Sequence, residues 1–165
     1  MHIRFRAAWA TFATAAIAVA FQAAPRFEDY AVPASEIFHG KPAAPQFKTA
    51  GQRTFRTMIR EGAEKGAAFA GHYAVAQWGC GAGCLQMALV DVRTGAVYDG
   101  PFGALPNGTL TPDQNVDPEK SGIFFHLDSS LLLARGCPNE KDCATYYYKW
   151  TGVRFELLRK MPVQP

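Results

Sequence analysis

The sequence predicts an α+β fold, mostly antiparallel β, with one N-terminal helix packed on a twisted antiparallel sheet or small sandwich of about six to seven strands. Three observations predict it. Apolar residues recur at helical spacing in one stretch, Thr49 to Lys65. From Phe69 onward they alternate or run in short blocks, as strands do. Turn residues such as Arg93-Thr94-Gly95, Asp128-Ser129-Ser130 and Thr151-Gly152 separate those blocks at hairpin spacing.

Composition bounds the function classes. The chain has 165 residues, 48% hydrophobic and 19% charged, with a net charge of +3. That excludes a disordered tail, a collagen-like repeat and a multi-domain enzyme. A dedicated nucleic-acid binder would carry a larger and more clustered positive charge.

The N-terminus reads as a secretory leader. Arg4 and Arg6 precede an apolar run from Ala7 to Ala20 that ends in Ala18-Val19-Ala20, an A-x-A site. The run is about 14 residues long, and a membrane span needs roughly 20. The first cysteine is Cys80, so no lipid-attached form is expected. Cleavage after Ala20 leaves 145 residues with a net charge of +1. The expected location is periplasmic or secreted, with no stable membrane insertion after cleavage. A near-neutral chain has no electrostatic reason to bind nucleic acid or an anionic membrane.

After the leader, residues 21–48 read as an extended arm with Pro25, Pro33, Pro42 and Pro45. Residues 49–165 read as one globular domain. Its helix carries Phe55, Met58, Ile59 and Ala63 on one stripe, with Gly66 as the C-cap candidate. A basic membrane-surface helix is the alternative, which Glu61 and Glu64 weaken.

The strands follow. His72 to Trp78 puts Tyr73 and Val75 on one face, and Ala74, Ala76 and Trp78 on the other. Leu85 to Val92 is nearly continuous in apolar residues, as a strand buried on both faces would be. Ala96 to Tyr98 returns as its partner. Ile123–Leu127 with Leu131–Ala134, and Thr145–Trp150 with Val153–Leu158, complete the hairpins. Gly103 to Lys120 has no periodic pattern and reads as an excursion or as a contact loop. There are too few strands for a β-propeller.

The most specific signal is Trp78-Gly79-Cys80-Gly81-Ala82-Gly83-Cys84. Gly79, Gly81 and Gly83 permit backbone angles other residues avoid, and two cysteines flank the turn. Cys137 and Cys143 flank a second turn. Pairing within each turn is favoured over pairing between turns, and both stay open. Loops of five and seven residues would stabilise by about 2 kcal/mol each, against about 4 for a Cys80–Cys137 link. Local pairs therefore serve better to shape a turn than to hold a fold.

Several chemistries compete for that turn. Zinc could use His72, Cys80 and Cys84, although C-x3-C is not the usual spacing. A redox pair would be C-x-x-C at a helix N-terminus. A cysteine nucleophile would need an unpaired thiol beside His72 or His126. A glycine-rich turn can also gather backbone N–H groups as an anion nest. No cofactor or catalytic motif of known mechanics is present, so neither cofactor nor metal is expected. Tyr146, Tyr148 and Trp150 share one face of a strand, which packs in the core or on the helix or, if exposed, suits stacking on sugar rings. His72 and His126 read otherwise as hydrogen-bonded structural histidines, and Asp91, Asp99 and Asp128 as turn carboxylates.

Ala70-Gly71-His72-Tyr73, the Trp78–Cys84 turn, Asp91 to Gly95 and Tyr146 to Trp150 together resemble a group of small exported bacterial proteins of uncharacterised function. The resemblance covers roughly residues 50 to 158. It implies an envelope location and a shared fold, and it transfers no catalytic role. Cys137 and Cys143 fall outside the shared pattern.

The expected function is a non-catalytic envelope protein. It binds an envelope protein, such as a hydrolase it inhibits, or a small ligand through the turn 78–84. The alternatives are a thiol- or metal-dependent enzyme using His72, Cys80 and Cys84, and a carbohydrate-binding module using Tyr146, Tyr148 and Trp150.

Overall fold

The computed structural model describes residues 23–81, 83–106, 122–140 and 142–162. The predicted leader, Ala82 and most of the 103–120 segment lie outside the described residues. Two antiparallel sheets form, where the sequence left a single sheet open as one reading. The first holds β1 (Tyr73–Gly79), β2 (Cys84–Asp91), β3 (Val97–Asp99) and the two-residue β4 (Leu105–Pro106). Here β2 is central, pairing with β1, with β3 and, at Cys84 and Leu85, with β4. The second runs in chain order through β5 (Gly122–Phe125), β6 (Leu131–Gly136), β7 (Ala144–Trp150) and β8 (Phe155–Pro162).

Alternation along β1 and β2 decides what each face of the first sheet covers. Tyr73, Val75, Met87 and Leu89 face the second sheet. There they meet Leu132, Ala134, Tyr146, Tyr148 and Trp150 in one core. Ala74, Ala76, Ala88, Val90 and Val92 face the other way, toward the helical layer. Both faces of β2 are thus covered, as its nearly continuous apolar run predicts.

The single helix expected over 49–65 is two helices, α1 (Ala50–Thr54) and α2 (Arg56–Glu64), separated at Phe55. Thr49 and Gln52 form a reciprocal capping box that starts α1. At Phe55 the backbone leaves helical geometry (φ −98°, ψ 19°), and its ring stacks on Trp78 with centroids 4.9 Å apart. The restart moves Met58 off the expected stripe, leaving it 44% exposed. Ile59, Gly62 and Ala63 face β1 instead. Gly66 closes α2 with φ 84°.

The chain before α1 is pinned at intervals. Val32 N donates to Asp128 O, Phe38 N to Gly71 O, and Gln46 N to Gly95 O, each at 2.8 Å. Among the described residues, no helix is long and apolar enough to cross a membrane.

The packing of α2 on β1 is close enough to test. A Cβ on Gly62 would fall 2.5 Å from the Ala76 Cβ and 2.6 Å from its Cα. Gly62→Val should therefore cost about 1–3 kcal/mol of stability by urea unfolding, whereas Met58→Ala stays within about 0.5 kcal/mol. Equal midpoints for Gly62→Val and the parent chain would contradict this packing.

Candidate functional site

The cysteines close locally. Cys80 pairs with Cys84 and Cys137 with Cys143, with Cα atoms 5.2 and 4.0 Å apart, and no cysteine is free. Each bond sits where a hairpin reverses. The first closes the β1–β2 turn, where Cys80 N donates to Cys84 O at 3.1 Å. Gly81 and Gly83 take φ 130° and 63° there, in the region glycine favours.

The two turns are joined through β4. Pro106 and Leu105 pair with Cys84 and Leu85 at the root of the first turn. On the other side Asn139, inside the second disulfide loop, grips the residues just before β4. Its Oδ1 accepts from Gly103 N at 3.1 Å and Ala104 N at 3.4 Å, and its N donates to Ala104 O at 2.8 Å. Asn139 holds φ 54°, a conformation asparagine tolerates better than most residues. Gly122, which begins β5, also approaches Leu85 at this end. Asp142 adds charge here, paired with Lys160 at 2.9 Å, and its carbonyl accepts from the Tyr146 hydroxyl.

No family model matches the chain, and neither a curated protein nor a solved structure matches it. The site is therefore read from its own chemistry.

His72 does not join the cysteines. It precedes β1, whose seven residues rise about 20 Å before reaching the first turn. Both sulfurs of that turn are already bonded to each other. The set His72, Cys80, Cys84 proposed for a thiol or zinc site is thus not assembled. Among the described residues, no three His, Cys, Asp or Glu side chains gather as a metal set. His72 instead packs on Tyr73 with ring centroids 4.2 Å apart, and its Nε2 meets the Arg93 guanidinium. Its Nδ1 is buried and has no hydrogen-bond partner among the described residues.

The sequence around His72 serves the junction between sheets. Ala70 and Gly71 both take positive φ, 44° and 81°. That bend lets Ala70 N reach Ser129 O at 3.2 Å and Gly71 N reach Leu127 O at 2.6 Å, across to the β5–β6 turn. A Cβ on Gly71 would lie 3.0 Å from Glu36 O, so the bend and the crowding both call for glycine.

The aromatic row follows the core reading, and its sugar-binding alternative is corrected. Tyr146, Tyr148 and Trp150 share a face, but it is the core face, and none is more than 8% exposed. Burial pushes the Tyr148 phenol up to about 12. Stacking on a sugar ring would require a face these residues do not present.

Trp78 lies beside a cleft that sequence reasoning missed. It stacks on Phe55 and donates from Nε1 to Gln86 Oε1 at 2.7 Å. Gln52, only 5% exposed, links α1 to β3 by donating from Nε2 to Asp99 Oδ1 at 3.2 Å. Thr49-Ala50-Gly51-Gln52 is a capping-box pattern, and that signal could have located Gln52. Asp99 reads from sequence as a turn carboxylate; its pairing with Gln52 was not legible, because the two lie far apart along the chain.

Two outcomes follow. Alkylation of the folded, unreduced protein should modify none of the four cysteines, with mass spectrometry as the readout. Burial and the Arg93 charge lower the His72 pKa, while Asp91 and Glu36 oppose the shift. The neutral ring is then favoured by the fold, and the unfolded chain takes up the extra proton. Stability should be fully present above about pH 6.5 and decline below it. His72→Phe should flatten that decline in urea titrations at pH 7 and pH 5; an unchanged pH slope would contradict the assignment.

Proposed function

We propose that the protein is an exported, non-catalytic binding protein that takes an envelope protein on its disulfide-bonded end. The observation that carries this reading is the convergence of two closed turns on β4 through Asn139. Each disulfide closes too short a loop to hold the fold by chain entropy. Their effect is to fix the shape of a surface, and a preorganised surface loses little freedom on binding. A binding role is favoured over a thiol enzyme because every cysteine is consumed in a disulfide. It is favoured over a sugar module because the aromatic strand is inside.

The test is site-specific photo-crosslinking in cells that export the protein. A photoreactive residue at Gly79 or at Asp142, both exposed at this end, should give the same discrete protein adduct. The same residue at Glu64 or Thr94, exposed on α2 and the β2–β3 turn, should give none. Adducts confined to Glu64 or Thr94, or none at all, would contradict the proposal.

A further inference from the structure

We infer that the cleft between α1, β3 and the β7–β8 turn is a binding site for a small organic cation, a primary amine on a short apolar or aromatic body. This site adjoins the disulfide-bonded end, with Trp78 and Gly103 at their border, but its charge lies at Asp99, and it stands whether or not that end takes a partner.

Two adjoining cavities make up the cleft, and they share Gln52, Asp99 and Gly100. The wider one, about 420 Å³, reaches to Arg154. The narrower one, about 190 Å³, is bounded by Phe55 and Trp78. The first volume falls within the range of small-molecule sites, and the second has room for an aromatic ring or a short alkyl chain.

Charge decides the ligand. Two charged side chains line the cleft among the described residues, Asp99 and Arg154. Arg154 is already matched, with its Nη2 2.8 Å from Glu156 Oε1. Asp99 has no cationic partner among the described residues, and its one side-chain hydrogen bond comes from the neutral amide of Gln52. That amide is itself fixed, since its Oε1 accepts from Lys48 N at 2.8 Å and Thr49 N at 3.4 Å. Asp99 is therefore held in place with acceptor capacity to spare. An ammonium group supplies the donors and the charge the carboxylate lacks. The apolar body then fits against Phe55 and Trp78.

Gly100 brings the floor of the cleft close against β2. A Cβ there would fall 2.6 Å from Met87 Cγ and 3.0 Å from Met87 O, forcing the β3–β4 connection to move.

Isothermal titration of the full mature chain would test the assignment with three probes of similar shape. These are phenethylamine, 2-phenylethanol and 3-phenylpropionate. Phenethylamine should bind saturably, the alcohol about tenfold or more weaker, and the carboxylate not at all. Asp99→Asn keeps an oxygen for the Gln52 amide and removes the charge. It should bring the amine down to the level of the alcohol, with near-UV circular dichroism unchanged. Equal binding of amine and alcohol to the parent chain would overturn the proposal, as would no saturable amine binding up to about 10 mM.

Discussion

Trp150 is where the two sheets are held against each other. Its ring meets Tyr73 and Tyr98 of the first sheet, with centroids 5.3 and 5.1 Å away. It also meets Phe155 of its own sheet at 4.9 Å. Edge-to-face contacts of this kind favour particular relative orientations beyond the area they bury. The orientation of the sheets determines which hairpin ends become neighbours. The β1–β2 turn and the β6–β7 turn end up on either side of β4, and both carry disulfides. The candidate surface is thus a consequence of the core.

The first sheet can play this part because it is covered twice. Small residues Ala74, Ala76 and Ala88 admit the helical layer on one face, and larger residues meet the second sheet on the other. The bend at Ala70 and Gly71 then ties the entry of β1 to the β5–β6 turn. These two devices explain why the Ala-Gly-His-Tyr segment has its composition. The small residues make the crossing, His72 caps the edge against Arg93, and Tyr73 enters the core.

Much of this was legible in the sequence, and the failures have physical causes. Alternation in β1, the apolar run of β2 and the turn residues between hairpins located β1 to β3 and β5 to β8, because buried sheet faces and tight reversals write themselves into the chain. The local disulfides were legible because each pair flanks a turn. The break at Phe55 was not, since a continuous stripe says nothing about where one helix stops and another begins. For the aromatic strand a shared face is visible in sequence, but whether it meets the core or solvent is decided by Tyr73, Tyr98 and Phe155, which cover it. Asp99 reads locally as a turn carboxylate and Asn139 carries no local signal, for the same reason. Their partners, Gln52 and Gly103, lie far along the chain.

The central claim is that the two disulfide turns behave as one unit through β4. Amide hydrogen exchange on the Cys137→Ser, Cys143→Ser double variant tests it most directly. Opening the second loop should speed exchange at Gly103 and Ala104, and also at Cys80 in the first turn, with core strands such as β2 unaffected. Faster exchange confined to residues 137–143 would show two independent turns and contradict the account.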